Sequence, residues 1–102
     1  MSRYLLSPEA RQDLADIRAY LREQAGARVA RHVLGQIRDA LEFLSRTPGA
    51  GHVREDLTEA PVKFWPVFSY LIVYRPEPRP IGIVRVLHGG RDLGRLLSPD
   101  DE

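Results

Sequence analysis

Three side chains near the end of the chain could do chemistry together: Arg85, His88 and Arg91. An imidazole can give and take a proton near neutral pH, and two guanidiniums can clamp a phosphate. Such a set would suit cleavage of a phosphodiester, where charge builds on the phosphorane. A structural reading stands beside it. A histidine just before Gly89-Gly90 can bond the backbone of the turn, and Arg91 can pair with Asp92. Glu55, Asp56 and Glu59 could supply a general base or simply form a solvated charged loop. Phe64, Trp65 and Phe68 could stack on bases, but their pattern along a strand reads first as core packing.

Other chemistries are set aside by composition. The 102 residues include no cysteine, so thiolate nucleophiles, thiolate metal sites and disulfides are all excluded. His32, His52 and His88 lie far apart without ligand-like spacing, so neither a metal site nor a cofactor is expected. The net charge is only +1, which does not predict direct DNA binding by this chain alone. Fourteen of the fifteen basic residues are arginine, leaving Lys63 as the single lysine. Coding bias explains that as readily as function does. The longest apolar run, Leu71-Ile72-Val73-Tyr74, is far too short for a membrane span, and no secretory signal stands at the N-terminus. The expectation is a single domain over 1–102 in the cytoplasm, without a membrane partner.

The elements that must position these groups follow from periodicity. Arg3-Tyr4-Leu5-Leu6 suits a first strand. Ser7-Pro8-Glu9 starts a helix, with Ser7 as N-cap and Pro8 at the first helical position. Ala10, Leu14, Ile17 and Leu21 share one face, and Gly26 ends the helix as a left-handed cap. A second helix carries Ala30, Val33, Leu34, Ile37, Ala40, Leu41 and Leu44 on a wider stripe and stops at Thr47-Pro48-Gly49. Gly35 inside it implies close packing or simple tolerance. Residues 50–61 read as a charged surface loop.

Three strands then follow, over Val62–Phe68, Tyr70–Tyr74 and Ile81–His88, and they predict an antiparallel meander. Pro66 has no N–H to give a ladder, so the first of the three should be an edge strand or kink there. The predicted fold is α+β, in the order β-α-α-β-β-β. An antiparallel helix hairpin packs on one face of the sheet, and a short tail or helix follows the last strand. Residues 70–74 are apolar in both parities, so the second face also needs cover, and a partner protein could supply part of it.

The segments Tyr4-Leu5-Leu6-Ser7-Pro8-Glu9-Ala10, Asp13-Leu14 with Ile17 and Tyr20, Tyr70–Tyr74 and Ile83–Leu93 resemble the ParE/RelE toxin superfamily of type II toxin–antitoxin systems. Leu87-His88-Gly89-Gly90-Arg91-Asp92-Leu93 carries the most specific part of that likeness. The resemblance implies a toxin held inactive by a small antitoxin, ParD-like or similar, whose tail wraps it. Antitoxin contact is expected at Tyr20, Trp65, Phe68, Tyr70, Ile72 and Tyr74.

The superfamily has two activities, and the residues bear on the choice. RelE-like members cleave messenger RNA on the ribosome, whereas ParE-like members poison DNA gyrase without a hydrolytic site of their own. Leu71 stands where the cleaving branch usually has arginine, and no tyrosine or histidine follows Asp92. These departures favour the ParE-like reading, with no catalytic residue. The alternative is a ribosome-dependent endoribonuclease using Arg85, His88 and Arg91. A third reading is a module that only sequesters an antitoxin repressor.

In the favoured reading the target is met beyond the last strand, at Arg91, Arg95, Leu96 and Leu97, where arginine adjoins apolar side chains. Deleting residues 91–102 should then abolish growth inhibition while leaving antitoxin capture intact. A plate assay and a pull-down on the same truncation measure both. A fully toxic truncation would remove the tail from the target contact.

Overall fold

The computed structural model describes residues 4–89 and 92. The target-contact residues expected at Arg91, Arg95, Leu96 and Leu97, and the C-terminal tail or helix itself, lie outside the described residues.

Strand β1 (Tyr4–Leu6) leads into α1 (Pro8–Ala25) and α2 (Ala27–Arg46). A 3₁₀ turn at Pro48–Ala50 and a loop precede β2 (Lys63–Val67), β3 (Tyr70–Arg75) and β4 (Ile81–His88). The fold is α+β, in the predicted order. The sheet order is β1-β4-β3-β2. β2, β3 and β4 form the expected antiparallel meander, but β1 returns to lie parallel to β4, with Tyr4 opposite Ile81. The local pattern of Tyr4–Leu6 carries no information about which strand it joins.

Helix α1 begins as its sequence dictates. The Ser7 hydroxyl accepts the Ala10 N–H at 2.9 Å, and Pro8 fills the first turn. Gly26 separates the helices with φ +95°, a conformation that L side chains resist, and its N–H bonds the carbonyls of Leu21 and Arg22. Its ψ of 165° makes it an extended corner rather than a regular left-handed cap, and its carbonyl starts α2 by accepting the Ala30 N–H. A Cβ at Gly35 would meet nothing within 4 Å, so tolerance, not close packing, explains that glycine.

The hairpin buries Ile17, Leu34, Ile37, Leu41 and Leu44 against Tyr70, Ile72, Tyr74, Ile81, Ile83 and Val86. The second sheet face forms its own cluster: Val62, Phe64, Leu71, Val73 and Leu87, with Leu57 and Val84 at its margin. Its cover therefore comes from this chain. Leu57 and Val62 belong to the segment leading into β2, so that segment is more than a charged surface loop.

The Tyr74 hydroxyl pins the chain between helix and sheet. It donates to the Pro48 carbonyl at 2.7 Å and accepts the Gly51 N–H at 2.9 Å. Gly51 must be glycine, because a Cβ there would overlap the Tyr74 ring. Burial raises the Tyr74 pKa above its ordinary value, partly offset by the Gly51 hydrogen bond. A raised folded pKa means stability that is present below the unfolded value, about 10, and lost as pH rises through the folded one. Tyr74→Phe should cost about 1–3 kcal/mol at neutral pH, because the buried Gly51 N–H and the partly buried Pro48 carbonyl lose their partner. It should also flatten the decline in stability above roughly pH 10. Denaturant titrations across pH check both.

Candidate functional site

β4 shapes the site through one extra residue. Val73 pairs with Arg85 and Tyr74 with Ile83, so Val84 is inserted as a bulge. The insertion shifts parity, which lets Ile83 and Val86 face the helices together. It also turns the amides of Val86 and His88 away from β3. β1 pairs only with residues 81–83 of β4, so no strand of the described chain meets those amides.

Side chains meet them instead. Asp13 of α1 accepts the Val86 N–H at 2.9 Å, and Asp92 accepts the His88 N–H at 2.7 Å. Nearer the start of β4, the Ser7 N–H donates to the Ile83 carbonyl and its hydroxyl to the Val84 carbonyl. Arg85 then forks onto Asp13, with Nε to Oδ2 at 2.8 Å and Nη2 to Oδ1 at 2.9 Å. The hydrogen bonds to Asp13 raise the Arg85 pKa further above its usual value.

These groups line a cleft of about 360 Å³ with Asp16, Ile17, Tyr20 and Tyr70. The His88 ring stands edge-on to Tyr70 at 5.6 Å. Arg85 and His88 do meet in one cleft, whereas Arg91 lies outside the described residues. Among the described residues the cleft holds three carboxylates, Asp13, Asp16 and Asp92, and one guanidinium, forked onto Asp13. These described charges repel a phosphodiester. Leu71, which stands where the RNA-cleaving branch usually has arginine, is buried in the second-face cluster.

A different surface lies across α2 and β2. Phe43, Ala40, Trp65, Pro66 and Val67 line a shallow apolar groove of about 390 Å³. Phe43 packs on Trp65 at 5.3 Å, and His52 stacks on the same indole at 6.1 Å. β2 is the edge strand, as Pro66 implied. That edge does not invite a further strand: Phe64 exchanges both backbone bonds with His52, and Pro66 has no N–H. At its end Phe68 is 62% exposed with φ +54°, a left-handed conformation that costs a non-glycine residue of order 1 kcal/mol.

Of the six residues expected to meet a partner, Tyr20 and Phe68 are exposed and Trp65 is half-buried. Tyr70, Ile72 and Tyr74 are core: their side chains face the hairpin, and Ile72 and Tyr74 have no exposed surface. A strand in the middle of a sheet, covered by helices of its own chain, has nothing left for a partner. Phe43, Asp13 and Asp16 line the candidate clefts, and the sequence alone does not single them out as site residues. In the sequence Asp13 stands only within the resemblance segment Asp13-Leu14, and its long-range acceptor role leaves no local mark.

Residues 4–93 match the family described as ParE toxin of type II toxin–antitoxin system, parDE. The chain belongs to the ParE toxin family. Among solved structures it is similar to a chain of the "Chromosomal ParDE TA system from P. aeruginosa", with a TM-score of 0.70 and 19% identity. That match covers 85% of this chain and 98% of the other. At that identity the likeness speaks for the fold alone. Comparison with curated protein sequences gives no match. Among the described residues, no helix of this family member is long and apolar enough to cross a membrane.

The two acidic caps predict unequal mutants. Arg85→Ala loses an ion pair that is half exposed at the arginine but only 12% exposed at Asp13, and should cost about 1 kcal/mol. Asp13→Ala also strands the Val86 N–H and should cost about 1–3 kcal/mol. Equal costs in a denaturation series would mean that the Val86 bond contributes nothing. Because Asp92 caps His88, the tail truncation is best cut after Asp92, so that a loss of function is not a loss of β4.

Proposed function

We propose that this toxin inhibits growth in the cytoplasm by binding a protein target, DNA gyrase, without chemistry of its own, and that a ParD-like antitoxin neutralises it. The observation that carries the first half is the use made of the polar groups on β4. Asp13 and Asp92 close the strand edge, and Arg85 neutralises Asp13. A ribonuclease would need those groups aimed at a phosphate, in a site of the opposite sign. The burial of Leu71 supports the same reading.

The antitoxin surface in this reading is the groove of Phe43, Trp65 and Val67, extended by Phe68 at the hairpin tip, with Tyr20 as a separate exposed contact. Phe68 stands in the two-residue turn between β2 and β3, which calls for its positive φ, and its ring lies 6.0 Å from that of His32. The face it leaves exposed suits an anchor presented to a partner. The target surface remains the segment Arg91, Arg95, Leu96 and Leu97.

Two assays on one variant test the proposal. His88→Ala, shown folded by circular dichroism, should inhibit growth within a small factor of the parent chain. The parent chain should also block plasmid supercoiling by purified gyrase. Loss of a general acid or base would instead lower activity about 10²–10⁴-fold. A folded, non-toxic His88→Ala chain, or gyrase indifferent to the parent, would reject the reading.

A further inference from the structure

The exit from β4 is tied down twice within two residues. His88 donates its N–H to the Asp92 carboxylate at 2.7 Å, on the outer edge of the strand. Gly89 donates its N–H to the Ser69 carbonyl at 2.7 Å, on the β3 side. The second approach is close, since a Cβ on Gly89 would stand 3.3 Å from the Ser69 oxygen. Fully extended, four residues would span roughly 13 Å. Asp92 therefore lies back beside the strand end rather than ahead of it.

The fold asks only that the His88 amide find an acceptor. For Val86 the acceptor comes from α1, through Asp13. For His88 it comes from the stretch of chain that follows the strand, so the same bond also sets where that stretch begins. The ion pair at the cleft does not account for Asp92. Arg85 owes its raised pKa first to the hydrogen bonds of Asp13 and only in lesser degree to the charge of Asp92.

We infer that Asp92 is a positioning residue for target binding: by holding the His88 amide it aims Arg91, Arg95, Leu96 and Leu97 at the target. The inference rests on the reading that this segment meets the target. A binding segment anchored at its base loses less conformational entropy on binding than one that swings freely. With the tie cut, the same side chains must be ordered at the expense of affinity. For this role Asp92 has to accept a hydrogen bond, and its charge is incidental.

Three variants of the full chain test the role: Asp92→Ala, Asp92→Asn and, as a control for stability, Ile37→Val. The first removes the acceptor, and the second keeps an acceptor without the charge. The third thins the core at a fully buried position of α2. Each is checked by circular dichroism and a urea titration, then assayed for growth inhibition and for the concentration that half-blocks supercoiling by purified gyrase. In Asp92→Ala that concentration should rise about tenfold or more, with growth inhibition weakened alongside. Asp92→Asn should restore most of the parent's potency. Ile37→Val should lower the urea midpoint and leave potency unchanged. Full potency in Asp92→Ala would overturn the inference, and so would equal losses in the alanine and asparagine chains, which would mean that the target reads the charge. An Asp92→Ala chain that does not fold would make Asp92 part of the fold alone and overturn it too. A parent that stops growth but spares gyrase would reject only the gyrase reading, and the growth assay would then rank the variants by itself.

Discussion

The outer edge of β4 has to be satisfied without a strand. β1 reaches only its first half, and beyond the Val84 bulge the amides of Val86 and His88 face outward. An unmet amide at that depth would cost about 1–3 kcal/mol. The chain answers with Asp13 and Asp92, while Ser7 meets the carbonyls of Ile83 and Val84, and Ser7 and Asp13 together fix how α1 crosses the sheet. That crossing sets where the hairpin lies, which residues it buries and what charge surrounds His88. Among the described residues, the carboxylates that hold the fold also make the cleft a poor host for phosphate.

β3 imposes the second requirement. Its side chains are apolar on both faces, so each face must be covered. The hairpin covers one, and the segment carrying Leu57 and Val62 covers the other. With both faces closed, one strip of the apolar surface left over lies at the margin, along Phe43, the half-buried Trp65 and Phe68, while Leu5, Tyr20, Val29 and Val53 are exposed elsewhere. The surface proposed above for the antitoxin is thus a rim of the hairpin and edge strand, rather than an open sheet.

Features governed by neighbours along the chain are legible in the sequence itself. Ser7-Pro8 announces a helix start because capping is local, and Pro66 announces an edge because a missing N–H is intrinsic to the residue. The apolar stripe of α2 matches its core face almost residue by residue. The bulge at Val84 leaves no trace, since Ile81–Leu87 is rich in apolar residues of both parities and an extra one breaks no pattern. The partner role expected of Ile72 and Tyr74 fails for a related reason: two apolar faces signal a need for cover and say nothing about what supplies it. Asp13 meets Arg85 across 72 residues, which no local pattern encodes. The resemblance segment does contain Asp13, and a polar residue beside Leu14 and Ile17 is the available clue.

That β4 carries structure rather than catalysis is tested most directly by mapping messenger RNA ends in cells after induction of the toxin. Messengers should keep the ends found in uninduced cells while growth stops. Discrete new cuts within translated messengers, absent when His88 is replaced by alanine in a folded chain, would contradict it.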